Sequence, residues 1–355
     1  MPSSRGSGIT LADVAAASGV STATVSRVLS GNYPVATRTK ARVTEAVAEL
    51  GYVMNANARA LARSRAATIG IVVQDVVDPF FGYIARGVER RAAELGLACL
   101  IMASQGSKER ELELVDLLRA HRAGGVILVG GSADDRGYRT KMAQRARALA
   151  DEGGNLVLCG RPPLGEGLPT RSVSYDNEGG AFAITSHLLA RGHRRIAYVG
   201  GPHRLSTHTF RLAGHRRALE QHGVAWDDDL VHVGQFSAAF GRTTLTELLR
   251  RGLDATAVFA ANDAVAVGVY EAAEDAGISV PHDLSVVGYD DVPVATQLRP
   301  RLSTVSVPLE ELGRRAAELC ITESDAPDAD SIVGTHLVLR DSVSAPREAR
   351  ILRAG

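Results

Sequence analysis

Cysteine is scarce in this chain: three residues, Cys99, Cys159 and Cys320, share no CxxC or metal-ligand spacing. Three is an odd number for a disulfide framework and suits a reducing compartment. Long apolar runs are also missing. No stretch approaches the ~18 apolar residues of a membrane span, and the opening MPSSRGSGITLADV lacks the apolar core of a signal peptide, so a cytoplasmic protein without a membrane partner is expected. Net charge is absent too, with 40 Lys+Arg against 40 Asp+Glu. No GxSxG, Walker loop or dinucleotide fingerprint occurs, and Gly200-Gly201-Pro202 lacks the rest of a phosphate-binding loop. His203, His208 and His215 stand at spacings of five and seven, which match no common ligand pattern. Neither an enzyme nor a metal or other cofactor is expected.

What is present is length and apolar content. With 355 residues, 45% hydrophobic, the chain exceeds one ordinary core of ~100–150 residues, so at least two folding units are expected. Its charge is unevenly spread. Residues 1–67 hold eight Lys/Arg (Arg5, Arg27, Arg38, Lys40, Arg42, Arg59, Arg63, Arg65) against Asp13, Glu45 and Glu49, a surplus of five positive charges. The remaining residues carry the opposite surplus.

From Thr10, whose hydroxyl suits an N-cap, Leu11, Val14, Ala15 and Ser18 recur at helical spacing. Gly19 allows a tight left-handed turn, and Ser21 opens a second helix with Val25, Val28 and Leu29 inward. Thr37 is expected to cap a third, with Val43, Ala46, Val47 and Leu50 on one face. Small side chains at the start of the second helix, with Arg27 one turn on, suit entry into a major groove. An ordinary helical hairpin is the alternative; the basic surplus favours DNA. Residues 55–63 read as a further helix, too short to persist alone in water.

Beyond Ala67 come apolar runs of strand length: 69–73, 126–130, 156–159, 196–200, 257–260 and 285–289. Amphipathic helical stretches lie between most of them, which predicts βαβ units with parallel sheets. A loop-rich stretch at 160–171 near the middle suggests two lobes rather than one.

The segments TLADVAAASGVSTATVSRVLSG, TRTKARVTEAVAELGYVMNANARALA and TIGIVV, with VVGYDD at 286–291 and LSTV at 302–305, resemble the LacI/GalR family of bacterial transcriptional regulators over nearly the whole length. The resemblance implies a helix-turn-helix head at 8–54, a hinge helix and linker at 55–67, and an effector-binding and dimerisation core at 68–345 like a periplasmic sugar-binding protein. The N-lobe would take about 68–174 and 306–335, the C-lobe about 175–305 and 336–345. It also implies a homodimer on operator DNA at the nucleoid. The operator would be a pseudo-palindrome with a central CG step and half-sites like TGNNANCG.

Carried over by position, Thr22, Ala23 and Arg27 fall on base-reading positions and Leu61 on the hinge leucine that wedges into the minor groove. Thr10, Ser21, Thr24, Ser26, Asn32, Asn55 and Ala58 complete the expected DNA-facing set. The alternative for Leu61 is packing on a neighbouring lobe. Effector contacts are implied at Asp290 in VVGYDD, Asn262 in AANDA, Arg211 in FRLAG, Phe236 in GQFS, and Asp78 and Phe80 in DPFF. Where some members place an acid after the strand at 156–159, this chain has Arg161, which alters the hydroxyls or charges that are recognised.

Carboxylates and amides share hydrogen bonds with adjacent hydroxyls, an arginine donates two, and an aromatic face covers a sugar ring. The effector is therefore expected to be a sugar or sugar phosphate; a nucleobase is the alternative. For Asp290-Asp291 the competing reading is a solvated loop pair, and for Phe80 and Phe236 it is core packing. Two rival functions are a periplasmic sugar-binding protein and a carbohydrate-active enzyme. The first lacks an export signal here and has no use for a basic head. The second requires carboxylates on opposite sides of one bond, which the adjacent Asp290 and Asp291 do not suit. The leading expectation is a ligand-responsive repressor of carbohydrate-utilisation genes.

Overall fold

The computed structural model describes residues 9–30, 33–52, 68–322, 330–347 and 351–353. Two compact units divide it, a small one with the N-terminal residues and a large one comprising Ile69–His121 and Gly125–Gly355.

The small unit is three helices, α1 (Leu11–Ser18), α2 (Thr22–Ser30) and α3 (Thr37–Leu50). Thr10 caps α1 in a reciprocal box: its hydroxyl accepts from the Asp13 amide, and the Asp13 carboxylate accepts from the Thr10 amide at 2.7 Å. Gly19 at φ 62° ends that helix, and Val14, Val25 and Val43, all fully buried, bring one side chain from each helix into a shared core. The expected Thr37 cap is corrected. Ala36 holds the N-cap position with no side-chain bond, and Thr37 is already helical, so only the Ala36 carbonyl closes the first turn, to Lys40 at 3.0 Å.

The large unit contains two parallel sheets. In the first, β1 (Thr68–Val73), β2 (Ala98–Ala103), β3 (Gly125–Val129), β4 (Asn155–Cys159), β5 (Thr170–Tyr175) and β11 (Asp330–Val333) lie in the order β11-β5-β4-β3-β1-β2. In the second, β6 (Ile196–Val199), β7 (Val231–His232), β8 (Ala257–Ala260) and β9 (Ser285–Val287) lie in the order β7-β6-β8-β9. Strands β3, β6 and β8 are buried at every residue, as continuous apolar runs in a sheet covered on both faces require. The covering helices are α4 (Pro79–Glu94), α5 (Lys108–Ala120), α6 (Arg136–Asp151), α7 (Asn177–Ala190), α8 (Ser206–Gln221), α9 (Ala238–Arg251), α10 (Asp263–Asp275), the short α11 (Val294–Gln297) and α12 (Leu309–Ile321).

The chain passes between the lobes three times. It leaves the first sheet after β5, returns through β10 (Thr304–Ser306) to α12 and β11, and crosses again through β12 (His336–Val338), which pairs antiparallel with β10. The tail ends on the second lobe, where Leu352 is buried and exchanges backbone bonds with Leu253 at 2.7 and 2.9 Å. The run at 285–289, expected as one strand, stops at Val287: Gly288 and Asp290 donate instead to Ser303 and Val305, at 3.0 and 2.8 Å. That departure lifts Asp290 out of the sheet.

Candidate functional site

In the head, the second helix presents Thr22, Ala23, Ser26 and Arg27 as exposed residues, while Val25 is buried. Ser21 and Thr24 are engaged locally: the Ser21 hydroxyl accepts from the Thr24 amide at 3.2 Å, and the two hydroxyls lie 2.9 Å apart. Arg27 carries its guanidinium 5.8 Å from the Tyr33 ring centre. Asn32, Asn55, Ala58 and Leu61, together with the expected hinge helix, lie outside the described residues.

In the core, α8 carries Arg211 inward to 1% exposure. A guanidinium there needs partners for its N–H groups, and the structure supplies them from four places. Nε donates to Asn177 Oδ1 at 2.9 Å, Nη1 to the Ala261 carbonyl at 2.6 Å, and Nη2 to the Tyr175 hydroxyl at 3.1 Å and Asp290 Oδ1 at 2.7 Å. Tyr289 lies beneath the guanidinium at 3.7 Å and Phe236 at 5.8 Å from the ring centre. Asp290 has φ 105°, a conformation a non-glycine residue rarely holds without compensation. Burial pushes its pKa up to about 6, Arg211 pulling the other way and Asp78 adding to the rise.

Asp78 caps α4, accepting from the Phe80 amide at 2.9 Å, and burial raises its carboxyl above the usual range. Phe80 is buried with its ring centre 6.2 Å from that of Tyr175. The structure thus gathers Asp78, Phe80, Arg211, Phe236 and Asp290. Asn262 caps α10, its Oδ1 accepting from the Val265 amide at 2.9 Å. Arg161 is placed apart. Its Nε and Nη2 donate to the carbonyls of Gly130 and Val129 at 2.8 and 3.0 Å, and Nη1 to Glu111 at 2.8 Å, while Tyr138 also donates to Glu111.

The sequence reading did not select Tyr175, Asn177, Tyr289 or Asp263. Asp263 is fully buried, accepting from Thr304 Oγ1 at 2.6 Å and the Val292 amide at 2.9 Å, and burial drives its carboxyl well above the usual range. Its Oδ1 leaves no room for a Cβ at Gly288. A signal was available in the adjacent Asp176-Asn177 and Asn262-Asp263, each at the end of a strand, where α/β folds place ligands.

Buried histidines make the fold's stability depend on pH. Burial pushes His215 down to about 3, and lowers His193, His208 and His232 as well. Below pH 6.5 the unfolded chain binds protons that these folded side chains refuse, so stability falls with pH toward the folded values. Each such site contributes at most about 1.4 kcal/mol per pH unit. Asp290 works oppositely between about 4 and 6, since the folded state takes up its proton first. Urea unfolding at pH 7.5, 6.5 and 5.5 is expected to show falling stability in the native chain and a shallower decline in His215→Gln; an equal slope in both contradicts the assignment.

A small helix-turn-helix unit, and a two-lobed α/β unit with a buried polar cluster reaching from one lobe to the other, define a ligand-responsive transcriptional regulator. The comparisons agree on the class. Residues 10–55 match "Bacterial regulatory proteins, lacI family" and residues 185–343 a periplasmic binding protein-like domain. The chain is 36% identical to the HTH-type transcriptional regulator GalR of Escherichia coli (strain K12), over 95% of this chain and 96% of that one. It is similar to the lac repressor dimer bound to operator and the anti-inducer ONPF, with a TM-score of 0.82 at 28% identity, covering 96% of this chain and 100% of that one. A transcriptional regulator CelR–cellobiose complex gives a TM-score of 0.67 at 33% identity, covering 94% and 99%. The chain belongs to the lacI family of bacterial regulatory proteins, and is a regulator rather than an enzyme.

Among the described residues no His, Cys, Asp and Glu side chains are grouped to hold a metal ion, and no helix is long and apolar enough to cross a membrane.

Proposed function

We propose that this chain is a cytoplasmic, nucleoid-associated homodimeric repressor of carbohydrate-utilisation genes, whose affinity for a pseudo-palindromic operator with a central CG step is changed by a small neutral sugar. The observation that carries the effector half is the buried Arg211–Asp290 pair of the second lobe at 2.7 Å, whose guanidinium also donates to Tyr175 of the first lobe and faces Phe236, with Phe80 packed against Tyr175. Sugar rather than sugar phosphate follows from charge. The one guanidinium of the cluster is already bonded to four groups, Asp290 among them, Asp78 and Asp263 lie within electrostatic reach of Asp290, and Arg161 is committed to Glu111. A phosphate dianion would have to take the guanidinium from Asp290 out of water, whereas hydroxyls can donate to the carboxylates. The CelR–cellobiose complex supports the same class.

The operator half rests on the basic head and the exposed α2 face, and is supported by the likeness to an operator-bound lac repressor dimer. Titrating the full chain with operator and with random DNA tests it. Leu61→Ala is expected to weaken operator binding at least tenfold with little change on random DNA, because loss of a wedge removes the bend but not the phosphate contacts. Arg27→Ala is expected to cost about 1–3 kcal/mol on operator. Equal losses on both DNAs overturn the reading.

For the dimer, strand β2 and the loop between β1 and α4 leave apolar side chains uncovered: Val76, Val77, Leu100 and Ile101 are 56, 81, 37 and 46% exposed. Val76 and Ile101 border a depression of about 370 Å³ that Phe81 and Ala85 also line, with Arg86 and Glu89 at it. An apolar edge of this kind suits a second copy of the chain. Two operator half-sites require two heads, so sedimentation is expected to give a dimer, and a stable tetramer contradicts this.

A further inference from the structure

We infer that loops 131–134 and 204–206 form a latch between the lobes, and that making or releasing it passes effector occupancy to the DNA-binding head; this rests on the effector reading above. The two loops pair as a fragment of antiparallel sheet. Asp134 N donates to the Arg204 carbonyl at 3.0 Å, Ser206 N to the Ser132 carbonyl at 2.9 Å, and Ser132 N to the Ser206 hydroxyl at 3.0 Å, with Ala133 opposite Leu205. Each loop extends from a lobe's own sheet, the first after β3 and the second after β6.

The position gives the pairing leverage. The covalent crossings leave the first sheet at β5 and β11, on one edge, and the second at β9, also an edge. Strand β3 is two places from β5, and β6 two places from β9. At roughly 5 Å between neighbouring strands, the latch therefore stands about 10 Å from where the chain crosses, so lobe rotation about the crossings opens or closes it. Gly131 makes the approach possible: a Cβ there would lie 2.6 Å from Thr207 Oγ1 and 3.0 Å from Leu205 Cγ.

Both ends are tied to charged clusters. On the first lobe, Arg161 holds the carbonyls of Val129 and Gly130, the two residues immediately before the latch loop, and is itself held by Glu111. On the second lobe, Ser206 and Thr207 open the same rigid helix that carries Arg211 one turn later. A ligand that regroups Arg211 and Asp290 moves α8, and α8 cannot move relative to the first lobe while the latch is paired. Arg161 is in this account a positioning residue.

Two variants of the full chain test it. Gly131→Val, which forces the loops apart, is expected to change operator affinity without sugar by 5–150-fold, the range of ordinary coupling energies. Ala133→Cys with Leu205→Cys occupies a non-hydrogen-bonded antiparallel pair, whose Cα separation of about 4.5 Å accepts a disulfide. Oxidised, this protein is expected to lose its response to a panel of neutral sugars and to regain it on reduction, which also serves if Gly131→Val does not fold. A cross-linked protein that responds as the native chain does, or a folded Gly131→Val within twofold of native operator affinity, overturns the latch. A native chain deaf to every sugar, beside a shifted Gly131→Val, instead overturns the effector reading and leaves the latch standing.

Discussion

Replacing Arg211 by Met is expected to lower the stability of the core by about 3–5 kcal/mol and to abolish the sugar response, because it leaves Asp290, 5% exposed, buried without its cation. The same change strips donors from Asn177, the Ala261 carbonyl and the Tyr175 hydroxyl. Asp290→Asn added to Arg211→Met removes the stranded charge, so the double variant is expected to recover much of the lost stability while staying blind to sugar. The contrast matters because either single change alone confounds folding with recognition. Urea unfolding gives the stabilities, and operator titration with and without sugar gives the response. A normal response in both Arg211→Met and Asp290→Asn would place the effector elsewhere.

Arg161→Met is expected to be comparably costly, about 3–5 kcal/mol, for a related reason. Arg161 is 4% exposed and Glu111 has 13% of its side chain accessible, so the survivor of a broken pair keeps little water. Burial raises the Glu111 carboxyl, but Arg161 and Tyr138 more than reverse this and hold it below the ordinary value. A lowered pKa means a contribution that is full above pH 4.5 and lost as pH falls through the folded value. Glu111→Gln is accordingly expected to destabilise at pH 7 and to lose less than the native chain on acidification, measured by urea midpoints at pH 7, 5 and 4. A cycle with Arg161→Met isolates the pair, and additivity within 0.5 kcal/mol would contradict the coupling.

The residues differ in how much of this they announce. Runs such as Val126–Val129 and Ala257–Ala260 declare buried parallel strands because every side chain in them is apolar. Strand β5, TRSVSY, hides among polar residues, since its stability comes from pairing with β4 and β11 rather than from its own pattern. The edge strand β2, ACLIMA, was also missing from the expected set, although it is apolar. Capping explains two further differences. Thr37 has the right chemistry for a cap yet begins the helix, and Asn262 adds to its expected role a cap on its own helix that its spacing did not announce. Arg161 illustrates the limit most clearly, because its partner Glu111 sits fifty residues earlier and no spacing rule links them.

The threefold crossing has a consequence for how the chain is made. Neither lobe is finished by a continuous stretch: the first waits for α12 and β11, the second for the tail that brings Ser342 and Leu352 to its sheet and core. The head, by contrast, is contiguous. At roughly 5–20 residues per second of synthesis, it leaves the ribosome complete tens of seconds before either lobe can close. During that interval a nascent chain exposes a basic head tethered to two half-built sheets, which makes the newborn core, rather than the head, the part most in need of a chaperone.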